Sequence, residues 1–198
     1  MNRTMRRLIL LFCLITCMTC MSASAASGKK QALQAYDTFL AGKSSYLSFG
    51  VIYLDKNSVP ELVFGHEIYT FKNGQMVKIK NELSTFYMPS AYYKKKGVMV
   101  ISYAHGGYMP SSFERFCKLK SEKLEGKLEI EGVTEMDRST GKYKKWSYAY
   151  NSLNGLKSTS FKNKAAFNKA LKKLVGSKKK TKIKMHVNTA AMRKKYLK

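Results

Sequence analysis

The 198-residue chain is predicted to be α+β: an antiparallel β-sheet of several strands, an N-terminal helix and C-terminal helices. Three observations predict this. Leu33, Tyr36 and Leu40 recur at helical spacing, with Gly42 placed to end the helix. From residue 47 to residue 150 apolar side chains alternate with polar ones, or run in short blocks between turn residues, which is the habit of strands. Beyond residue 160 the period returns to helical.

In chain order, Leu47, Phe49, Val51 and Tyr53 mark one face of a strand running to Leu54, and Pro60 interrupts before Leu62-Val63-Phe64. Residues 67–72 and 75–79 flank Asn73-Gly74, a pair that tolerates positive φ at both centres and so predicts a tight type I′ hairpin. Lys94-Lys95-Lys96-Gly97 leads into Val98-Met99-Val100-Ile101, whose unbroken apolarity predicts a buried strand. The strand carrying Cys117 follows a glycine-rich loop at His105-Gly106-Gly107, and 124–133 and 144–150 continue the series. Ser160 is placed to cap a helix whose stripe is Phe167, Ala170, Leu171, Leu174 and Val175, closed by Gly176. Ile183, Met185 and Val187 alternate as a strand, and Asn188 or Thr189 caps a last short helix ending near Leu197.

Residues 1–25 have the three parts of an export signal. Arg3, Arg6 and Arg7 precede an apolar run from Leu8 to Met21, too short to span a bilayer comfortably, and Ala23-Ser24-Ala25 supplies a small-x-small cleavage site. Leu14-Ile15-Thr16-Cys17 is the alternative, a lipobox in which bulky Thr16 stands where a small residue is needed. Three of the four cysteines lie in this leader, so residues 26–198, read as one α+β domain, keep only Cys117 and no internal disulfide. Alternation puts Cys117 on the side of Phe113 and Leu119, as a buried thiol.

Charge is segregated. Lys and Arg total 37 against 12 Asp and Glu, a net +25, which excludes an acidic calcium-buffering protein. A hydrophobic fraction of 44% argues against wholesale disorder. Asp137 is the last acidic residue, and the strongly basic third from Arg138 to Lys198 holds 19 basic side chains, all but two of them lysine. Residues 26–137 are nearly balanced. Such a block repels itself unless an anionic partner relieves it, whereas the ordinary reading of a charge run is a solvated face. The expected partner is an anionic polymer or surface: an envelope polyanion, an acidic glycan or anionic lipid, with nucleic acid as an unspecific possibility. Candidate contacts are Lys144, Lys145, Trp146, Lys172, Lys173, Lys178, Lys179 and Lys180. As a strand, 144–150 sets Trp146, Tyr148 and Tyr150 on one face, either a stacking platform for sugars or bases or part of the core. Lysine suits diffuse attraction better than bidentate recognition.

At Tyr53-Leu54-Asp55-Lys56-Asn57-Ser58-Val59-Pro60-Glu61-Leu62-Val63 the chain resembles a family of uncharacterised exported proteins of gut clostridia. Those proteins open with a helix ending in Tyr-x-x-Phe-Leu, matched by Tyr36-Asp37-Thr38-Phe39-Leu40, and continue into an Asp-x-Asp-Gly-Asp-Gly-x-Pro-Glu-Leu segment and a hairpin. The resemblance covers roughly residues 30–80 and implies architecture and export rather than an activity. Its acidic segment implies a calcium loop. Here Asp55, Asn57 and Glu61 keep oxygen positions, but Tyr53 replaces the first Asp, Ser58 the turn glycine, and Lys56 puts a cation inside, so the loop reads as degenerate and without metal.

No His-Glu-x-x-His, no pair of Cys-x-x-Cys motifs and no Gly-x-Ser-x-Gly is present, the single Cys17-Met18-Thr19-Cys20 lying in the leader. His66, His105 and His186 lack metal-ligand spacing, and Glu129 with Glu131 reads as an exposed charged strand face. The sequence therefore predicts a secreted or cell-surface, non-enzymatic protein without cofactor, associating electrostatically with an anionic surface. The alternatives are an envelope glycan or peptide hydrolase working near His105 and Cys117, and a degenerate calcium-loop adhesion module.

Overall fold

The structure, a computed structural model, describes residues 27–81, 88–105, 111–133, 139–140, 142, 147–154 and 157–198. It has the α+β class, with the strands divided between two sheets. Helix α1 spans 27–41. The strands are β1 (Ser48–Ile52), β2 (Glu61–Phe64), β3 (Glu67–Lys72), β4 (Gln75–Lys78), β5 (Lys80–Asn81), β6 (Met88–Tyr93), β7 (Val98–His105), β8 (Ser111–Lys120), β9 (Lys123–Val133), β10 (Ser147–Asn154) and β11 (Lys157–Ser160). Helix α2 (Lys164–Val175), β12 (Lys180–Lys182), β13 (His186–Val187) and α3 (Ala190–Tyr196) complete the chain. The first sheet has the order β13-β1-β2-β3-β4, and the second β11-β10-β9-β8-β7-β6-β12. Pairing is antiparallel except at β5, which runs parallel to the start of β9. Among the described residues no helix is long and apolar enough to cross a membrane.

Three apolar clusters set four layers. Ile52, Leu54, Val63, Ile68, Met99, Ile101, Cys117 and Ile183 meet between the sheets. Phe167 and Val175 of α2 cover the outer face of the second sheet against Val98, Val100 and Phe116. Ala32, Tyr36 and Leu40 of α1, with Leu197, cover the outer face of the first against Phe49, Leu62 and Phe64. Each large apolar side chain so buried stabilises by roughly 1.5–3 kcal/mol. The predicted buried strand Val98–Ile101 is buried on both faces because it has a layer on each side. The stripe on β1 is shared: Phe49 and Val51 face the helical layer, Ile52 and Leu54 face the interior, and Leu47 is exposed.

Asn73 and Gly74 both take positive φ, +51° and +78°, and close the β3–β4 hairpin as predicted. The α2 cap differs from expectation. Ser160 is used up in the β10–β11 hairpin, its hydroxyl bonded to Asn151 Oδ1 at 2.9 Å, and Asn163 accepts from Ala166 N at 2.9 Å instead. At the far end Gly176, φ +65°, returns its N–H to the Lys172 carbonyl at 2.8 Å, and Thr189 caps α3. Glu129 departs from the exposed face expected of it. It is buried and takes both Nε and Nη2 of Arg115, at 2.9 and 2.6 Å, because β8–β9 register sets the two opposite each other.

The segment 180–187 changes sheets. It leaves the edge of the second sheet at β12–β6, drops Ile183 into the interior, and joins the edge of the first at β13–β1. The crossing passes so close to Gly50 that a Cβ there would meet Ile183 Cγ2 at 2.9 Å and Lys184 O at 3.0 Å. Gly50→Ala is therefore expected to lower stability by about 1–3 kcal/mol through overpacking, read from urea unfolding, with faster amide exchange at Val187 and Asn188. An unchanged midpoint and unchanged exchange would refute the close crossing.

Candidate anion-binding surfaces

Ten of the nineteen cations of the basic third lie on three successive stretches of chain. Exposed Lys172 and Lys173 lie in the last turn of α2, where cations complement the negative end of the helix. Lys178, Lys179, Lys180, Lys182 and Lys184 follow along the sheet-changing segment, and Arg193, Lys194 and Lys195 lie on α3. These cations form a ribbon in chain order, from the end of α2 on the outer face of the second sheet, along the segment that passes to the edge of the first, to α3. Lys180 pairs with Glu114 at 2.9 Å and Arg193 with Asp37 at 3.0 Å, both acids drawn from the balanced part of the chain. Among the described residues Lys172, Lys173, Lys178, Lys179, Lys182 and Lys184 face no carboxylate.

Midway along the ribbon His186 stacks on Tyr196, with centroids 3.7 Å apart and planes at 15°. Burial first, then Lys195 and Lys184, pushes its imidazole below the ordinary histidine range. Of the aromatic face, Tyr150 packs on Phe167 at 5.3 Å and belongs to the α2 core. Tyr148 is exposed and lies against Gly132, where a Cβ would meet its ring at 2.8 Å. Lys144, Lys145 and Trp146 lie outside the described residues, as do Gly106 and Gly107 of the loop singled out for chemistry.

A second cationic site comes from the balanced part and escaped the sequence reading. The turn 94–97 is sewn to two neighbours: Lys95 N donates to Tyr53 O at 3.0 Å, Gly97 N to Leu54 O at 2.6 Å, and Leu119 N to Gly97 O at 2.7 Å. Those bonds bring Lys56, Lys96 and half-buried Lys118 to one cavity of about 740 Å³, which Lys95 also lines. Lys118 Nζ donates to the Lys96 carbonyl. Burial, then the Lys96 and Lys56 charges, lowers its pKa. Both carboxylates in the lining are engaged: Asp55 accepts from Asn57 N at 2.9 Å and Nδ2 at 2.7 Å, and Glu122 pairs with Lys72 at 2.7 Å. The Lys94-Lys95-Lys96 run was visible in the sequence, but its meeting with Lys56 and Lys118 rests on the pairing of distant strands.

In the segment 55–61, where the resemblance implied a degenerate calcium loop, the oxygens are spent on the protein's own N–H groups. Asp55 spends its oxygens on Asn57, Asn57 Oδ1 accepts from Val59 N at 2.9 Å, and Glu61 turns inward to accept from Leu54 N at 2.7 Å. Lys56 adds a positive charge to the same loop. Among the described residues no three His, Cys, Asp or Glu side chains are grouped to hold a metal. Glu61 is fully buried, its Oε1 has no hydrogen-bond partner among the described residues, and Tyr36 next to it donates to Pro60 O at 2.7 Å.

No family model, no curated protein and no solved structure matches the chain. Its class is thus set by its own geometry: an α+β protein of two sheets between helical layers, with a lysine ribbon and a lysine-lined cavity.

Burial lifts the Glu61 carboxyl to about 8, against the opposing Leu54 N–H bond and with help from Asp55. An acid with a raised folded pKa contributes stability that is fully present below its unfolded value, near 4.5, and is lost as pH rises through about 8. At about 1.4 kcal/mol per unit, the loss between pH 5 and 8 is on the order of 3 kcal/mol. Glu61→Gln is expected to flatten this slope in urea midpoints measured against pH. A parent whose stability is level across that window would contradict the buried neutral carboxyl.

Proposed function

We propose that this is an exported, non-enzymatic protein that associates electrostatically with an anionic polymer at the cell surface or in its surroundings. The observation that carries the reading is the ribbon: six exposed lysines, Lys172, Lys173, Lys178, Lys179, Lys182 and Lys184, without a carboxylate partner among the described residues, following one another from the end of α2 along the segment that passes from the edge of the second sheet to the edge of the first. Lysine's point charges suit diffuse attraction to a flexible polyanion, an envelope polyanion or acidic glycan, with anionic lipid as the alternative. The signal-like residues 1–25 support export. Against a role for Cys117 as a nucleophile stands its place between the sheets, 1% exposed.

Retention of the protein on a polyanionic matrix, measured against salt, tests the reading. Binding is expected to collapse as the Debye length contracts from about 10 Å at 0.1 M to about 3 Å at 1 M. Replacing Lys178, Lys179, Lys182 and Lys184 together by Gln is expected to lower the eluting salt concentration at least twofold without moving the urea midpoint. Retention that survives molar salt, or a variant eluting with the parent, would sink the proposal. Stronger capture by anionic vesicles than by soluble polymer would shift the partner to lipid.

A further inference from the structure

We infer that the cavity bounded by Lys56, Lys96 and Lys118 is a binding site for a compact dianionic phosphoryl group. The inference extends the anionic-partner reading to a second, separate place and can fail without it. Its cations come from three segments: the loop after β1, the turn between β6 and β7, and β8. Separate ammonium groups carried by three segments suit the several oxygens of a tetrahedral oxyanion better than the plane of a carboxylate, which suits the fork of arginine.

The charge balance points the same way. Lys72 and Glu122 cancel each other at the rim, and Asp55, held by Asn57, offsets one cation. Of Lys56, Lys95, Lys96 and Lys118, about three charges then remain uncompensated in one concavity, which a monoanion would leave largely unbalanced and a dianion nearly neutralises. Ile79, Leu119 and Leu174 form part of the wall, and apolar walls lower the local dielectric and strengthen each attraction. Burial first, then the charges of Lys96 and Lys56, lowers the pKa of Lys118, and an incoming anion relieves the like-charge part. The site is also held in shape before any ligand arrives, because backbone bonds from the turn to Leu54 and Leu119 fix two of its walls.

The test titrates the full folded chain with inorganic phosphate, following amide shifts at constant ionic strength. The expected result is saturable movement of the Gly97, Leu119 and Asn57 amides, with acetate at least tenfold weaker. Lys56→Gln, on an exposed loop, is expected to weaken phosphate at least fivefold, and Lys118→Met at least tenfold if it folds. The Lys178/Lys179/Lys182/Lys184→Gln variant should bind phosphate like the parent while eluting from the polyanionic matrix at lower salt, so the two proposals fail separately. Two further arms, methyl phosphate and a soluble phosphodiester polymer, separate a terminal phosphoryl group from a backbone phosphate. Tighter binding of the monoester supports the dianion, and preference for the diester overturns it. Non-saturable shifts, acetate equal to phosphate, or unchanged phosphate affinity in Lys56→Gln would each overturn the assignment.

Discussion

Leu54 gives its N–H to the Glu61 carboxyl, accepts from Gly97 N at 2.6 Å, and buries its side chain between the two sheets. Through that one residue the first sheet, the loop that follows β1 and the β6–β7 turn are tied to each other. Loosening it would open the interior, where Ile52, Met99 and Ile101 are almost wholly out of water, and would also separate the walls of the lysine-lined cavity. Packing and site thus share one backbone node.

Glu61 holds that node at a cost. A carboxyl with one oxygen unpartnered among the described residues is tolerated most easily when neutral, and its other oxygen holds the Leu54 N–H. The oxygens a cation would need close the turn themselves, and Lys56 points the loop's electrostatics toward anions.

The two cationic surfaces differ in kind. The ribbon is exposed lysine, suited to screened, diffuse attraction along a polymer. The cavity is concave and partly buried, and two of its walls are fixed by backbone hydrogen bonds, so it can select the charge and shape of a small group. Lys180 and Arg193, paired to Glu114 and Asp37, show that the basic third also spends charge on holding the fold together.

Local chemistry alone determined the elements whose cause is local: the Asn73-Gly74 hairpin, because both residues accept positive φ; the stripe of α2, because its period is set by 3.6 residues per turn; and the buried Val98–Ile101 strand, because no polar residue interrupts it. The segregation of charge was equally legible. Only the tertiary structure decided that the strands form two sheets, that residues 180–187 pass from one to the other, that Glu129 is buried opposite Arg115, and that Lys56, Lys96 and Lys118 converge. Each of those depends on which strands become neighbours and in what register, and register is fixed by burial summed over the whole sheet rather than by any residue's own preference.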